Sequence, residues 1–260
     1  ESSTTSDNDG KFTIKYANGN LVSIGGTDLD SQNLLDNLLI THKLTGHSDS
    51  KVITPVTSIA AFMTDSSKVN AALGIDTSID IFSFDPVANK GDGGVNDYLY
   101  EKGNQLTVIA YALQNIANDL NATTETTQDY FQSMAEEVDT EYAETNARVN
   151  IETEAFIKKV FDNVISKKAL TIEDTDKANT ISAFTSLLPL IQVKASDSNT
   201  FALFNFATST FQDDAKAIAS GSATSEIVSS YQTDILNYVA NDQSVDAGGL
   251  EFDITAIADS

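Results

Sequence analysis

The acidic side chains that lie beside glycine turns are the residues of this chain best suited to bind a cation. Asp7 and Asp9 lie two positions apart just before a glycine. Asp28 and Asp30 have the same spacing just after a pair of glycines. Calcium takes roughly six to eight oxygen ligands, and carboxylates in a glycine turn can supply several of them. The sequence therefore predicts that any specific calcium site lies at one of these pairs, and the other interpretation of each pair is an acidic turn that binds no ion.

The loop that begins at Asp7 is not an EF-hand. An EF-hand loop needs glycine at its sixth position and a bidentate glutamate at its twelfth. Counted from Asp7, those positions hold Phe12 and Asn18. Any calcium bound here would need ligands from outside the loop.

No set of residues with catalytic spacing is visible elsewhere in the chain. The two histidines, His42 and His47, could form a metal pair or an acid–base pair, and the alternative is two solvated side chains. Cysteine is absent, which excludes disulfides, thiolate metal sites and cysteine nucleophiles. Glu136 and Glu137 are neighbours on a predicted helix, so they point to different faces and do not form a glycosidase pair. We therefore expect no enzymatic activity.

The charge balance excludes two classes of partner. The chain has 38 acidic residues against 15 basic ones, a formal net charge of −23. A surface this acidic repels phosphate backbones and anionic lipids, so we expect neither nucleic-acid binding nor membrane insertion. Salt or divalent cations screen such a charge, which favours an extracellular protein in a saline environment.

The elements that must position these residues change from strands to helices near residue 54. Phe12, Ile14 and Tyr16 alternate with polar residues and predict a strand. Asn18-Gly19 predicts a hairpin turn into a return strand at 21–24, and a third strand is predicted at 38–44. Thr54 before Pro55 then predicts a helix start.

Helical spacing dominates the rest of the chain. Apolar residues recur at this spacing over 95–120, 126–166 with a break near 145, 174–193, 200–220 and 222–240. The acidic run near Glu136 is interpreted as a solvated helix face. Phe201, Phe204 and Phe211 are interpreted as core, with an exposed Phe206 in a ligand groove as the alternative.

These patterns predict an α+β chain. It would consist of a small N-terminal antiparallel β element at 1–50, a mostly α-helical bundle at 51–245, and a tail or strand at 246–260 that leads to a following domain.

Four short segments resemble a recurring arrangement in large bacterial surface proteins. Residues 52–59 (VITPVTSI) resemble the "V-x-T-P-L-T-T-L" start of a helical module. Residues 5–14 (TSDNDGKFTI) and 25–28 (GGTD) resemble the strand entry and turn of a β-domain of the carboxypeptidase-regulatory or Cna-B-like type. Residues 72–75 (ALGI) and 81–86 (IFSFDP) resemble the stretch that precedes the helices of the module.

This resemblance covers roughly residues 4–120. The chain lacks the "D-x-N-x-N-G" segment that usually precedes such a β-domain. The resemblance therefore implies that the β part corresponds to the C-terminal half of the domain. It implies a non-catalytic structural or adhesive module of a secreted or cell-surface bacterial protein. The implied partners are other domains or copies of that protein, and calcium is the implied ion. The alternative is a glycan- or peptide-binding module with a groove in the helical domain.

Overall fold

The structure is a computed structural model, and it describes residues 4–7, 11–14, 21–25, 43–45, 52–88, 94–121, 126–191, 207 and 210–223. Two short strands come first, β1 (Val22–Ile24) and β2 (Lys43–Thr45). The α-helices of the described residues are α1 (Pro55–Phe62), α2 (Val69–Leu73), α3 (Val95–Asn121), α4 (Thr127–Thr145), α5 (Glu154–Lys168), α6 (Asp174–Leu187) and α7 (Thr210–Ala219). The described chain is thus mostly helical after a small N-terminal β element, as the sequence predicts.

Helix α1 begins at the residue that the sequence indicates. The Thr57 amide donates to the Thr54 hydroxyl oxygen (3.1 Å), and the Thr54 amide donates to the Thr57 hydroxyl oxygen (2.8 Å). This reciprocal capping box satisfies two donors that the first turn leaves free, and Pro55 needs no donor there. Ile59 and Met63 are buried, and Phe62 is partly buried against the same core.

Helix α3 is the central element, because α1, α4, α5 and α7 all pack against it. Its 27 residues span about 40 Å. A helix enclosed in this way is normally apolar all round. In α3, however, Lys102, Gln105 and Gln114 are buried among the leucines and isoleucines. These polar groups need hydrogen-bonding partners within the fold, so α3 is a candidate location for a functional site.

The long helical region at 126–166 is divided near residue 145, as predicted. Helix α4 ends where Asn146 takes the left-handed conformation (φ 49°), which asparagine tolerates. Helix α5 begins after Thr153, whose hydroxyl caps the Phe156 amide. Further on, Phe211 is buried and packs edge-to-face on Phe184 with ring centroids 5.2 Å apart, which confirms its place in the core.

The β element differs from the predicted hairpin. Residues 11–14 form no strand, although Phe12 and Ile14 are more buried than their neighbours. Strand β1 pairs antiparallel with β2, with Ser23 opposite Leu44. Strand β2 packs against α1 and α4, and β1 forms backbone pairs with β2. The prediction at 12–16 was therefore wrong for the described part of that segment.

Several predictions concern residues outside the described ranges and stay predictions. They are Asp9, Asp28, Asp30, His42, His47, the Asn18-Gly19 turn, Phe201, Phe204, Phe206, the helix at 222–240 and the tail at 246–260.

Candidate functional site

Of the four acids predicted as calcium ligands, the described residues include one, Asp7. An oxygen of the Asp7 carboxylate accepts the Lys11 amide (2.9 Å), and the Asp7 amide donates to the Lys11 carbonyl (2.8 Å). The Asp7 carboxylate is therefore hydrogen-bonded to the residue that precedes Phe12. Within the described residues, no three histidine or acidic side chains lie close enough together to hold a metal ion. The calcium prediction at Asp7 and Asp9 is not tested by this geometry.

Lys102 is a buried charged residue of the described chain, and its side chain is only 2% exposed. Its ammonium forms an ion pair with Glu152 and lies 3.5 Å from the Glu101 carboxylate. It also donates to the side-chain oxygen of Gln105 at 2.7 Å. A buried ammonium is costly unless it is paired and hydrogen-bonded, and these three partners meet that requirement.

Tyr98 joins Lys102 to the only arginine of the chain. The ring centroid lies 5.1 Å from the Lys102 nitrogen and 5.3 Å from the guanidinium carbon of Arg148. Both distances are within the range of cation–π attraction. The Tyr98 hydroxyl donates to the Leu73 carbonyl (2.9 Å). Burial raises the pKa of this phenol, Arg148 opposes the rise, and the carboxylates of Glu101 and Glu152 add to it.

We call these six residues the Lys102 cluster: Tyr98, Glu101, Lys102, Gln105, Arg148 and Glu152. Hydrogen bonds in and beside the cluster connect four separate segments of the chain. The Val149 amide donates to the Ala72 carbonyl (2.8 Å), which ties the linker between α4 and α5 to the end of α2. The Gln105 side-chain amide donates to the Leu188 carbonyl (3.0 Å) in the turn after α6. The cluster therefore lies where α2, α3, the α4–α5 linker and the end of α6 meet.

Gly74 leaves the space that Arg148 occupies. Its φ of 71° is left-handed, and it ends α2. A Cβ at this position would lie within van der Waals overlap of the Arg148 side chain. Glycine is thus required here both for the backbone conformation and for the close approach of Arg148.

Neighbouring charges suit Lys102 for a structural role. A lysine that acts as a nucleophile must lose its proton and reach a substrate. Lys102 instead is held by two carboxylates and has almost no access to solvent. Sequence reasoning missed this lysine although a signal was present. Lys102 shares a helix face with Leu99, Leu106 and Ile109, and a charge within an apolar stripe requires a buried partner.

The acidic run of α4 is a second charged region, and it faces other helices. Helix α4 carries acidic residues and no basic ones, whereas lysines cluster on α5. Glu136 forms an ion pair with Lys167, Glu141 pairs with Lys159 at 3.1 Å, and Asp129 pairs with Lys168 at 3.4 Å. The interpretation of the run as a solvated face was therefore incomplete, because several of these acids pair with lysines of α5.

The pKa values in this region follow from those contacts. Partial burial would raise the pKa of Glu136, but hydrogen bonds from Lys167 and two amide side chains outweigh it, and the pKa is lowered. Asp162 receives Lys158 from its own helix and Lys177 from α6, so its pKa is lowered in the same way despite burial. Both carboxylates therefore stay charged well into the acidic range.

The comparisons with known proteins provide no relative for this chain. No protein-family model, no curated protein and no solved structure matches it. Among the described helices, none combines the length and the apolar character that crossing a membrane requires.

Proposed function

We propose that this chain is a non-catalytic structural or adhesive module of a large secreted or cell-surface bacterial protein in a saline environment. The observation that supports this most is how the basic residues are used. Every described lysine from Lys68 to Lys216 forms an ion pair with a carboxylate of the same chain. Five of these pairs join separate elements of the fold, and the other three join residues three or four positions apart. The lysines are thus used within the chain, whose net charge is −23.

Such an arrangement supports a protein that faces salt water and other acidic copies of itself. Excess negative charge keeps a protein soluble, and dissolved ions screen the resulting self-repulsion. In this proposal the α+β chain begins with the C-terminal part of a Cna-B-like or regulatory-like domain at 1–50. The helical domain at 51–245 follows, and the residues at 246–260 lead to the next domain. The partners are neighbouring domains or copies of the same protein.

The location can be tested on cells that produce the whole protein. Intact cells are treated briefly with a protease, and the released peptides are identified by mass spectrometry, with a cytoplasmic protein as the control. Peptides of this chain should be released before any cytoplasmic peptide. Their release only after lysis would contradict the proposal.

Calcium in the β element is part of the proposal. We expect the Asp7→Ala/Asp9→Ala or the Asp28→Ala/Asp30→Ala variant to lose a calorimetric calcium signal that the parent gives. A native-state ligand also raises the melting temperature, and that rise should be lost with the signal. If both variants bind calcium as the parent does, the ion does not bind at these acids.

The alternative, a glycan- or peptide-binding module, depends on an accessible groove. In the described part of the chain, the exposed large hydrophobic residues are Val22, Ile24 and Val87. All three are aliphatic, whereas sugar rings and extended peptides are usually held on aromatic side chains. A glycan array and a peptide array with the whole chain distinguish the two proposals, since a saturable, specific signal would favour the binding module.

A further inference from the structure

The linker between α4 and α5, residues 146–153, contains both exposed residues and side chains that are buried against the rest of the fold. Residues 143–148 are exposed, and Asn146 holds a left-handed conformation. Val149 and Ile151, in contrast, are buried. The amides of Asn146, Ala147, Glu152 and Thr153 donate to acceptors within the linker or at the end of α4, whereas the Val149 amide donates to Ala72 of α2. The attachment of the linker to the rest of the fold therefore depends on that bond, on the two buried side chains and on the Lys102 cluster.

The Lys102 cluster supplies that attachment from two sides. Glu152, near the end of the linker, pairs with the buried Lys102 on α3. Arg148, in the middle of the linker, crosses Gly74 and stacks on Tyr98. Release of the linker would separate the Lys102 ammonium from its closest carboxylate and leave it with Glu101 and Gln105 of its own helix. Such a loss is strongly unfavourable, so the ion pair holds the linker closed.

Solvent exposure separates this attachment from the ion pairs between α4 and α5. The side chains of Lys167 and Glu136 are 40% and 38% exposed, so dissolved salt reaches them. Buried pairs are screened much less than exposed ones. In strong salt, the exposed pairs therefore weaken while the Lys102–Glu152 pair keeps its strength.

We propose that residues 146–153 form a salt-resistant latch, a segment that opens as a local unit and that the Lys102–Glu152 pair holds closed. The latch goes beyond the proposed function and does not depend on it. It would keep the linker attached to α2 and α3 under the ionic conditions in which the outer ion pairs are screened.

The sequence provides a direct probe of the latch. Arg148 is the only arginine, so an arginine-specific protease cuts the folded chain at one place, within the linker. The cleavage rate in native buffer, divided by the rate for the same chain unfolded in urea, reports how often the linker opens. The unfolded reference also removes any direct effect of a substitution or of salt on the protease.

The experiment compares Lys102→Met with Lys167→Met, a matched loss of one lysine from an exposed pair. We expect Lys102→Met to raise the normalised cleavage rate at least about tenfold, and Lys167→Met to raise it less than about twofold. Glu152→Gln, which keeps the shape of the side chain, should act in the same direction as Lys102→Met. It serves as the test variant if Lys102→Met does not fold.

Two further measurements make the result decisive. The cleavage rate of the parent should change less than about threefold between low salt and 1 M NaCl, because the pair is buried. Local opening exposes little surface, so cleavage should depend less steeply on urea than global unfolding does. Equal acceleration in both lysine variants, or a urea dependence equal to that of global unfolding, would overturn the latch.

Discussion

Replacing Lys102 by methionine should lower the free energy of unfolding by about 3 kcal/mol. Methionine fills a similar volume, so the main change is that Glu152 and Glu101 lose their shared cation. Removing one member of a buried ion pair costs roughly 3–5 kcal/mol. We expect the lower end of this range, because the side chains of Glu152 and Glu101 are 18% and 17% exposed. Water can therefore partly solvate both carboxylates.

Lys167→Met provides the reference for this magnitude. The same chemical change at an exposed ion pair costs about 0.2–1 kcal/mol. Urea unfolding followed by circular dichroism in the helix band measures both variants, provided that the slope against urea is unchanged. A difference of about 2–3 kcal/mol between them corresponds to a difference in melting temperature of roughly 4–12 °C for a chain of this size.

A double variant tests whether the loss comes from the ion pair. Lys102→Met combined with Glu152→Leu removes both members of the closest pair and leaves Glu101, whose side chain is 17% exposed to water. Replacing a whole buried pair in this way is often neutral or stabilising, so the double variant should be more stable than Lys102→Met alone. The reasoning is refuted if Lys102→Met costs no more than Lys167→Met, or if the two losses simply add.

Three other predictions follow from the fold. Gly103→Ala should stabilise the protein by about 0.5–1 kcal/mol by chemical denaturation, because a Cβ at this position in α3 would only reach ordinary contact with Pro55 at 3.8 Å. A loss of stability would show that the helices approach more closely than described. Ala169→Gly should also stabilise the folded protein, by up to about 1 kcal/mol, since Ala169 has a φ of 50° at the end of α5. Lys168→Gly, inside the helix, is the control and should destabilise the protein. Asp162 has a lowered pKa, so its contribution is complete above its ordinary value of 3.8 and is lost as the pH falls through the lower folded value. The stability difference between the parent and Asp162→Asn should therefore shrink below about pH 4, and a constant difference would contradict this assignment.

A fourth prediction concerns ionic strength. Self-repulsion at −23 is screened over about 8–10 Å near physiological salt and over shorter distances above it. The melting temperature should rise with added NaCl, because the exposed ion pairs that salt weakens contribute little individually. An unchanged or lower melting temperature in 1 M NaCl would show that the attractive pairs outweigh the repulsion.

The sequence by itself determined the local structure of the helical region. A cap residue and proline at 54–55, glycine at 74 and the interruption near 145 act within one or two turns of chain, so their effects can be read without the rest of the fold. Helical spacing likewise placed Phe211 in the core, since burial of an apolar stripe follows from its periodicity.

Only the tertiary structure decided which distant residues meet. Strand β1 pairs with β2, and no local pattern in the sequence states which strand is its partner. Lys102 and Glu152 are fifty positions apart, and Arg148 reaches Tyr98 across Gly74. A lysine in an apolar stripe shows that a buried partner must exist, but its identity depends on how the linker packs. Electrostatic pairing acts through space, so the Lys102 cluster appears only once the helices are assembled.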